Sequence, residues 1–143
     1  MDAQRYYPGF MGGNLKWGPQ HIAGMLGLPH IGKVYYIDPN SGSDTANAGL
    51  RQNDAFKTVT QYYSAAVSGN HDVGVIAPSG GTGRTAATAS ITWAKRFTHL
   101  IGSAAPTAQD ARAGVGMAAS TVFTISENGC LFKNLTFTQT ADV

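Results

Sequence analysis

Short apolar runs separated by clusters of turn-forming residues set the rhythm of this 143-residue chain. Val34-Tyr35-Tyr36-Ile37 is β-branched or aromatic throughout and reads as a strand. It breaks at Asp38-Pro39-Asn40-Ser41-Gly42-Ser43-Asp44, where every residue is a turn former. A second polar loop runs through Gly49, and order resumes at Phe56-Lys57-Thr58. With Asp54 as N-cap, Phe56, Val59, Tyr63, Ala66 and Val67 recur at spacings of three and four, which predicts a helix near 56–67 closed by Gly69-Asn70. Strands are predicted near 73–77, 91–93, 98–101, 122–125 and 131–137. Ile76, Ile101 and Ile125 stand 25 and 24 residues apart (76 to 101 to 125), close to the roughly 20–30 residues of one solenoid coil. The repeat is one of hydrophobic placement, because the surrounding sequences do not match.

Residues 1–33 follow neither period. They hold Tyr6, Tyr7, Phe10, Met11 and Trp17, interleaved with Gly and Pro, and only Gln20–Leu28 offers a short helix, weakened by Gly24 and Gly27. A segment of this kind has no core of its own, yet its aromatic and Met side chains are contact-forming types. It reads either as an arm folded back on its own domain or as an anchor on another protein, and the anchor is narrowly preferred. His21 and His30 lie in it, too far apart and too poorly supported by carboxylates for a metal site. The chain thus divides into an arm, 1–33, and a domain, 34–143.

Composition narrows the class. Only 13% of residues are charged, Gly numbers 18, and Glu127 is the sole Glu. That disfavours surface helices and suits strands joined by turns. A net charge of +2 with scattered bases argues against nucleic acid or an anionic membrane as the main partner. Cys130 stands alone between Gly129 and Leu131, so there is no disulfide framework and no Cys-based metal site; a buried small hydrophobe is expected there. Met1–Arg5 sets an acid beside its base with no apolar core after it, which disfavours a secretion leader.

The order strand, D-P-N-S-G-S-D, polar loop, Gly, F-K-T, helix resembles the opening of right-handed parallel β-helix proteins of the pectin-lyase type. Glu127–Phe137, ENGCLFKNLTF, resembles that family's coils, in which Asn134 would sit at a bend. The resemblance covers about residues 34–138 and implies an all-β fold: the start of a right-handed parallel β-helix, a helix over its N-terminal mouth, and an irregular N-terminal arm. Two coils and perhaps a third are too few for an independent solenoid, which needs about three or more. A longer natural protein, or closure by a homo-oligomer, is therefore expected.

Three motifs invite chemistry. Asp38, Asn40 and Asp44 place oxygen ligands at alternate positions, as in a calcium loop, but Gly49 stands where the bidentate Glu belongs. An Asx-stabilised turn is the preferred reading, and these three are only secondary metal candidates. Ala77–Thr85 is a Gly-rich loop after an apolar strand, but Pro78 and Arg84 replace the Gly and Lys of a phosphate loop, and Gly80 to Thr85 is expected to protrude. Sugar cleavage needs paired carboxylates, and Asp72, Asp110, Glu127, Arg84, Arg96 and Arg112 form no such motif. His71 and His99 read as structural residues. No catalytic residue and no cofactor is expected. The scaffold type and the missing leader point to a bacteriophage virion protein, assembled in the host cytoplasm: a head fibre, capsid decoration or tail-spike base. Its expected partners are capsid or tail subunits, through Tyr6, Tyr7, Phe10, Met11 and Trp17, and surface polysaccharide. A polysaccharide-cleaving tail spike or secreted lyase is the alternative.

Overall fold

The computed structural model describes residues 23–24, 26–28, 32–77, 85–87, 90–103 and 113–139. The chain forms two compact units, Met1–Ile31 and Gly32–Val143. In the first, a helical turn from Ala23 closes at Gly27, whose φ is 66°. Leu28 N–H donates to Ala23 O at 2.9 Å and Gly27 N–H to Gly24 O at 3.3 Å, the paired closure that a left-handed Gly permits. It lies inside the helix predicted over 20–28.

The second unit is built mainly of short strands that pair in parallel. They are β1 (Val34–Ile37), β2 (Val73–Ile76), β3 (Thr85–Ala87), β4 (Ile91–Trp93), β5 (His99–Gly102), β6 (Gly114–Met117), β7 (Phe123–Ile125), β8 (Leu131–Lys133) and β9 (Thr136–Gln139). One helix, α1 (Val59–Ala65), separates β1 from β2. The first sheet has the order β1-β2-β5-β8, the second β3-β6-β9, and the third joins β4 to β7. From β2 onward, consecutive strands enter the first, second and third sheets in turn, then return to the first. Every strand pair among the described residues is parallel and in register.

Register corrects the expected repeat. Ile76 lies beside Gly102, Ile101 beside Lys133, and Ile125 beside Trp93 in a different sheet. The rungs are unequal: 26 residues separate Val73 from His99 (73 to 99), and 32 separate His99 from Leu131 (99 to 131). A fixed period therefore misaligns the isoleucines. Among the described residues, the strands from β2 onward complete two cycles through the three sheets and begin a third, and β1 adds a fourth strand to the first sheet below them.

Other expected boundaries move for local reasons. Phe56 bridges Ile37 in parallel, which holds its backbone extended and keeps α1 from starting there. Asp54 is therefore not the N-cap; it ends a 3-10 turn, Gln52–Asp54, and its carboxylate accepts Ala48 N–H at 3.2 Å. Thr58 caps α1 instead, its Oγ1 accepting Gln61 N–H at 3.2 Å. The helix ends at Ala65 rather than Val67, since Ala66 is already extended. The strand predicted over 131–137 is two strands, β8 and β9, split at Asn134 with φ 55°. Asn tolerates that left-handed bend where most residues do not. Thr85, placed in a protruding loop by the sequence reading, begins β3, while residues 78–84 lie outside the described residues.

The corner that leads into the first sheet repeats on each upper rung. His71, Phe97 and Gly129 occupy equivalent positions, two residues before the register triplet Val73, His99 and Leu131, and have φ of 55°, 52° and 73°. The His71 and Phe97 rings are 5.0 Å apart, and a Cβ on Gly129 would come within 2.4 Å of the Phe97 ring. The left-handed φ is tolerated by His and Phe at the first two steps, so it is the space beside Phe97 that requires Gly at the third, where the φ also favours it.

The core is an aromatic column inside the stacked rungs. Tyr35, Phe56, Tyr62 and Trp93 are buried with Ile37, Val59, Ile76, Leu100 and Val115. Phe123 and Phe132 pack on Trp93 at 5.6 and 5.1 Å. Each such side chain removed from water contributes about 1.5–3 kcal/mol. β2 and β5 are buried at all four positions, so the centre of the first sheet is covered on both faces.

Candidate functional site

The richest polar cluster lies where α1, β1, β2 and β5 meet. Asp72 is fully buried, and its carboxylate is held by three donors. Lys33 N–H and Asn70 Nδ2 both donate to Oδ1 at 2.7 Å, and Val67 N–H donates to Oδ2 at 2.8 Å. Tyr62 is also fully buried, and its hydroxyl faces Asp72 O at 3.0 Å and His99 O at 2.7 Å. Burial, followed by the Asp72 charge, pushes the Tyr62 phenol well above its ordinary range. His99 stacks on His71, with Nε2 3.1 Å from Nδ1 of its neighbour. Burial and then His71 pull the His99 imidazole down to about 4, against a smaller upward pull from Asp72. Chemically this arrangement holds rungs together. A carboxylate that accepts three N–H groups inside the fold is a structural anchor.

Lys95 closes the neighbouring helix end. Its Nζ donates to Tyr63 O at 2.5 Å, Ala66 O at 2.7 Å and Ser64 O at 3.1 Å, and lies 4.8 Å from the Tyr63 ring centre. The ammonium satisfies carbonyls that the short helix leaves open. Partial burial lowers its pKa, with Asp72 opposing that shift.

The oxygen-rich loop is a turn. Asp38 Oδ1 accepts Asn40 N–H at 2.9 Å and Ser41 N–H at 3.1 Å, an Asx turn. Asp44 faces the other way, taking Lys57 N–H at 2.7 Å, Thr58 N–H at 3.0 Å and Thr58 Oγ1 at 2.8 Å. It thereby fixes the residue that caps α1. Asn40 is exposed and its side chain joins neither group. Among the described residues, no group of three or more His, Cys, Asp or Glu is placed to hold a metal ion.

A shallow groove of about 240 Å³ opens beside this loop, lined by Tyr36, Asp38, Gln52, Val75 and Ser103 among others. Tyr36 and Val75 are register partners and form an apolar floor. Asp38, Gln52 and Ser103 are the polar residues of the lining, and Ser103 Oγ donates to Ile76 O at 2.8 Å.

The remaining sequence candidates do not converge. Asp72 is buried whereas Glu127 and Arg96 are exposed, and Asp110, Arg84 and Arg112 lie outside the described residues. So do Tyr6, Tyr7, Phe10, Met11 and Trp17. Cys130 is half-buried rather than buried, its thiol 3.4 Å from Lys95 O. Sequence reasoning missed the His71–His99 pair and the groove. The unequal rungs hid both, since only the true register of 73 with 99 brings the two imidazoles together. Among the described residues, no helix is long and apolar enough to cross a membrane. No protein-family model, curated protein or solved structure matches the chain.

Proposed function

We propose that this chain is a structural protein of the bacteriophage virion, a head fibre, capsid decoration or tail-spike base. In this reading residues 34–143 are the N-terminal part of a right-handed parallel β-helix, and residues 1–33 attach it to a capsid or tail subunit. The observation that carries it is the cyclic use of three parallel sheets, which is the chain path of a solenoid. α1 then covers the mouth of the solenoid, and the Asp72 cluster locks it there. A stack of this kind is a stiff rod, suited to projecting from a particle. The groove beside Tyr36 is the place for a sugar of the host surface, with the Tyr36–Val75 floor under its C–H face and Asp38 and Gln52 toward its hydroxyls. The reading includes no catalysis.

Deleting residues 1–20 tests the assignment. The truncated chain is expected to keep its far-UV spectrum and unfolding midpoint while disappearing from purified particles. Normal incorporation of the truncated chain would overturn the attachment role. Sustained release of reducing or unsaturated ends from bacterial polysaccharides, abolished by Asp or Glu substitutions, would overturn the non-catalytic reading.

A further inference from the structure

His99 is 1% exposed, and its Nδ1 has no hydrogen-bond partner among the described residues. Its Nε2 meets Nδ1 of His71 at 3.1 Å, across the contact between the β2 and β5 rungs. A neutral imidazole suits this site: Nε2–H donates to His71, and Nδ1 keeps a bare lone pair that needs no partner. An added proton places an N–H on Nδ1 where no acceptor waits, and a positive charge against the stacked His71 ring. The surrounding groups offer little relief. The Asp72 carboxylate is already taken by Lys33, Asn70 and Val67, and the Tyr62 hydroxyl is engaged with the Asp72 and His99 carbonyls. Lys95 is bonded to the Tyr63, Ser64 and Ala66 carbonyls at the end of α1 and offers no acceptor. Phe97 faces His71 and is apolar.

We propose that the His71–His99 pair is an acid-sensitive latch, joining the β2 and β5 rungs to the end of α1 while neutral and releasing that corner when His99 is protonated. The corner is a natural point of release, because Tyr62 and Asp72 tie α1, β1 and both rungs within a few ångströms of the pair. The direction follows from burial and from His71, which together bring the His99 imidazole to about 4, against about 6.5 in an unfolded chain. The folded value is the lower, so the unfolded chain takes up the proton first. Stability is complete above about pH 6.5 and declines as pH falls toward 4.

The test uses the full chain. Between pH 7 and pH 5, above the range where most carboxylates titrate, the unfolding constant from urea titration is expected to rise about 20-fold through this one group. The His99→Leu variant, which matches its register partner Leu131, should lose that rise. NMR of the unsubstituted protein gives an independent reading: one of its four His rings should stay neutral below pH 5, and amides over 59–76 should exchange faster as pH falls after correction for intrinsic rates. Titration of all four rings near pH 6.5, or an equal rise in His99→Leu, would overturn the latch.

Discussion

At the β1 end of the stack, the outer strand edge is bonded and the rings beneath it are sealed; at the β7–β9 end, strand edges and apolar side chains face outward. Tyr36 N–H donates to Gly49 O at 2.7 Å, Phe56 N–H to Tyr36 O at 2.9 Å, and Asp38 N–H to Phe56 O at 2.8 Å. The loop over 38–58 thus takes the place of a further strand. Gly49 makes this possible, because its φ is 73° and a Cβ there would lie 2.4 Å from the Phe56 ring. Among the described residues, β7, β8 and β9 each pair on one side only, and Val122, Ile125 and Phe137 are 59%, 51% and 41% exposed. The difference teaches where the stability resides. Buried polar anchoring is concentrated in the lower rungs, and the upper rung is held by stacked rings, backbone pairing and a few more exposed side-chain hydrogen bonds such as Ser126 Oγ to Trp93 O. Strand edges left open are also sites where another chain can add.

That contrast is broken most severely by Asp72→Ala. Three N–H groups lose their acceptor inside the sealed end, which is expected to cost about 3–5 kcal/mol, read as a lower urea midpoint. Gly129→Ala attacks the corner ladder near the other end. The left-handed φ and the approach to Phe97 together should cost about 1–3 kcal/mol, with Gly129→Asn recovering part of the φ component but not the space. Tyr62→Phe removes the hydroxyl that touches two rungs and keeps the ring; a loss of about 1–2 kcal/mol is expected, measured as a fall in Tm. Least affected should be the pair Ile125→Thr and Val122→Thr. Both side chains are exposed, so stability should stay within about 0.5 kcal/mol, while sedimentation velocity should show less self-association. An unchanged sedimentation profile would mean that these exposed side chains do not drive contact between copies.

Much of the fold was legible in the sequence because strands advertise themselves through local chemistry. Val34–Ile37, Val73–Ile76, Ile91–Trp93 and Phe123–Ile125 are β-branched and aromatic runs between turn formers, and each lies within a predicted strand. β3 and β6 were not legible: Thr85-Ala86-Ala87 and Gly114-Val115-Gly116-Met117 carry small residues that signal loops unless a neighbouring rung supplies their pairing. The helix start was misjudged for a related reason. Phe56 fits the helical period, but its bridge to Ile37 is a tertiary fact that no window around residue 56 contains. At the candidate site, the turn role of Asp38 follows from its own neighbours and was readable. The clamp on Asp72 draws donors from positions 33, 67 and 70, and the His pair spans 28 positions, so both required the register first.

The repeated left-handed corner at His71, Phe97 and Gly129 separates two jobs that most folds combine. It fixes where the chain re-enters the first sheet, while the path between one corner and the next is free to vary in length, as the unequal rungs already do. An insertion in that path, for instance between β6 and β7, leaves the re-entry point and its hydrogen bonds untouched. The excursions are therefore natural grafting positions, at which a peptide or a recognition loop can be displayed at a fixed height along the stack without resetting the register of the strands above.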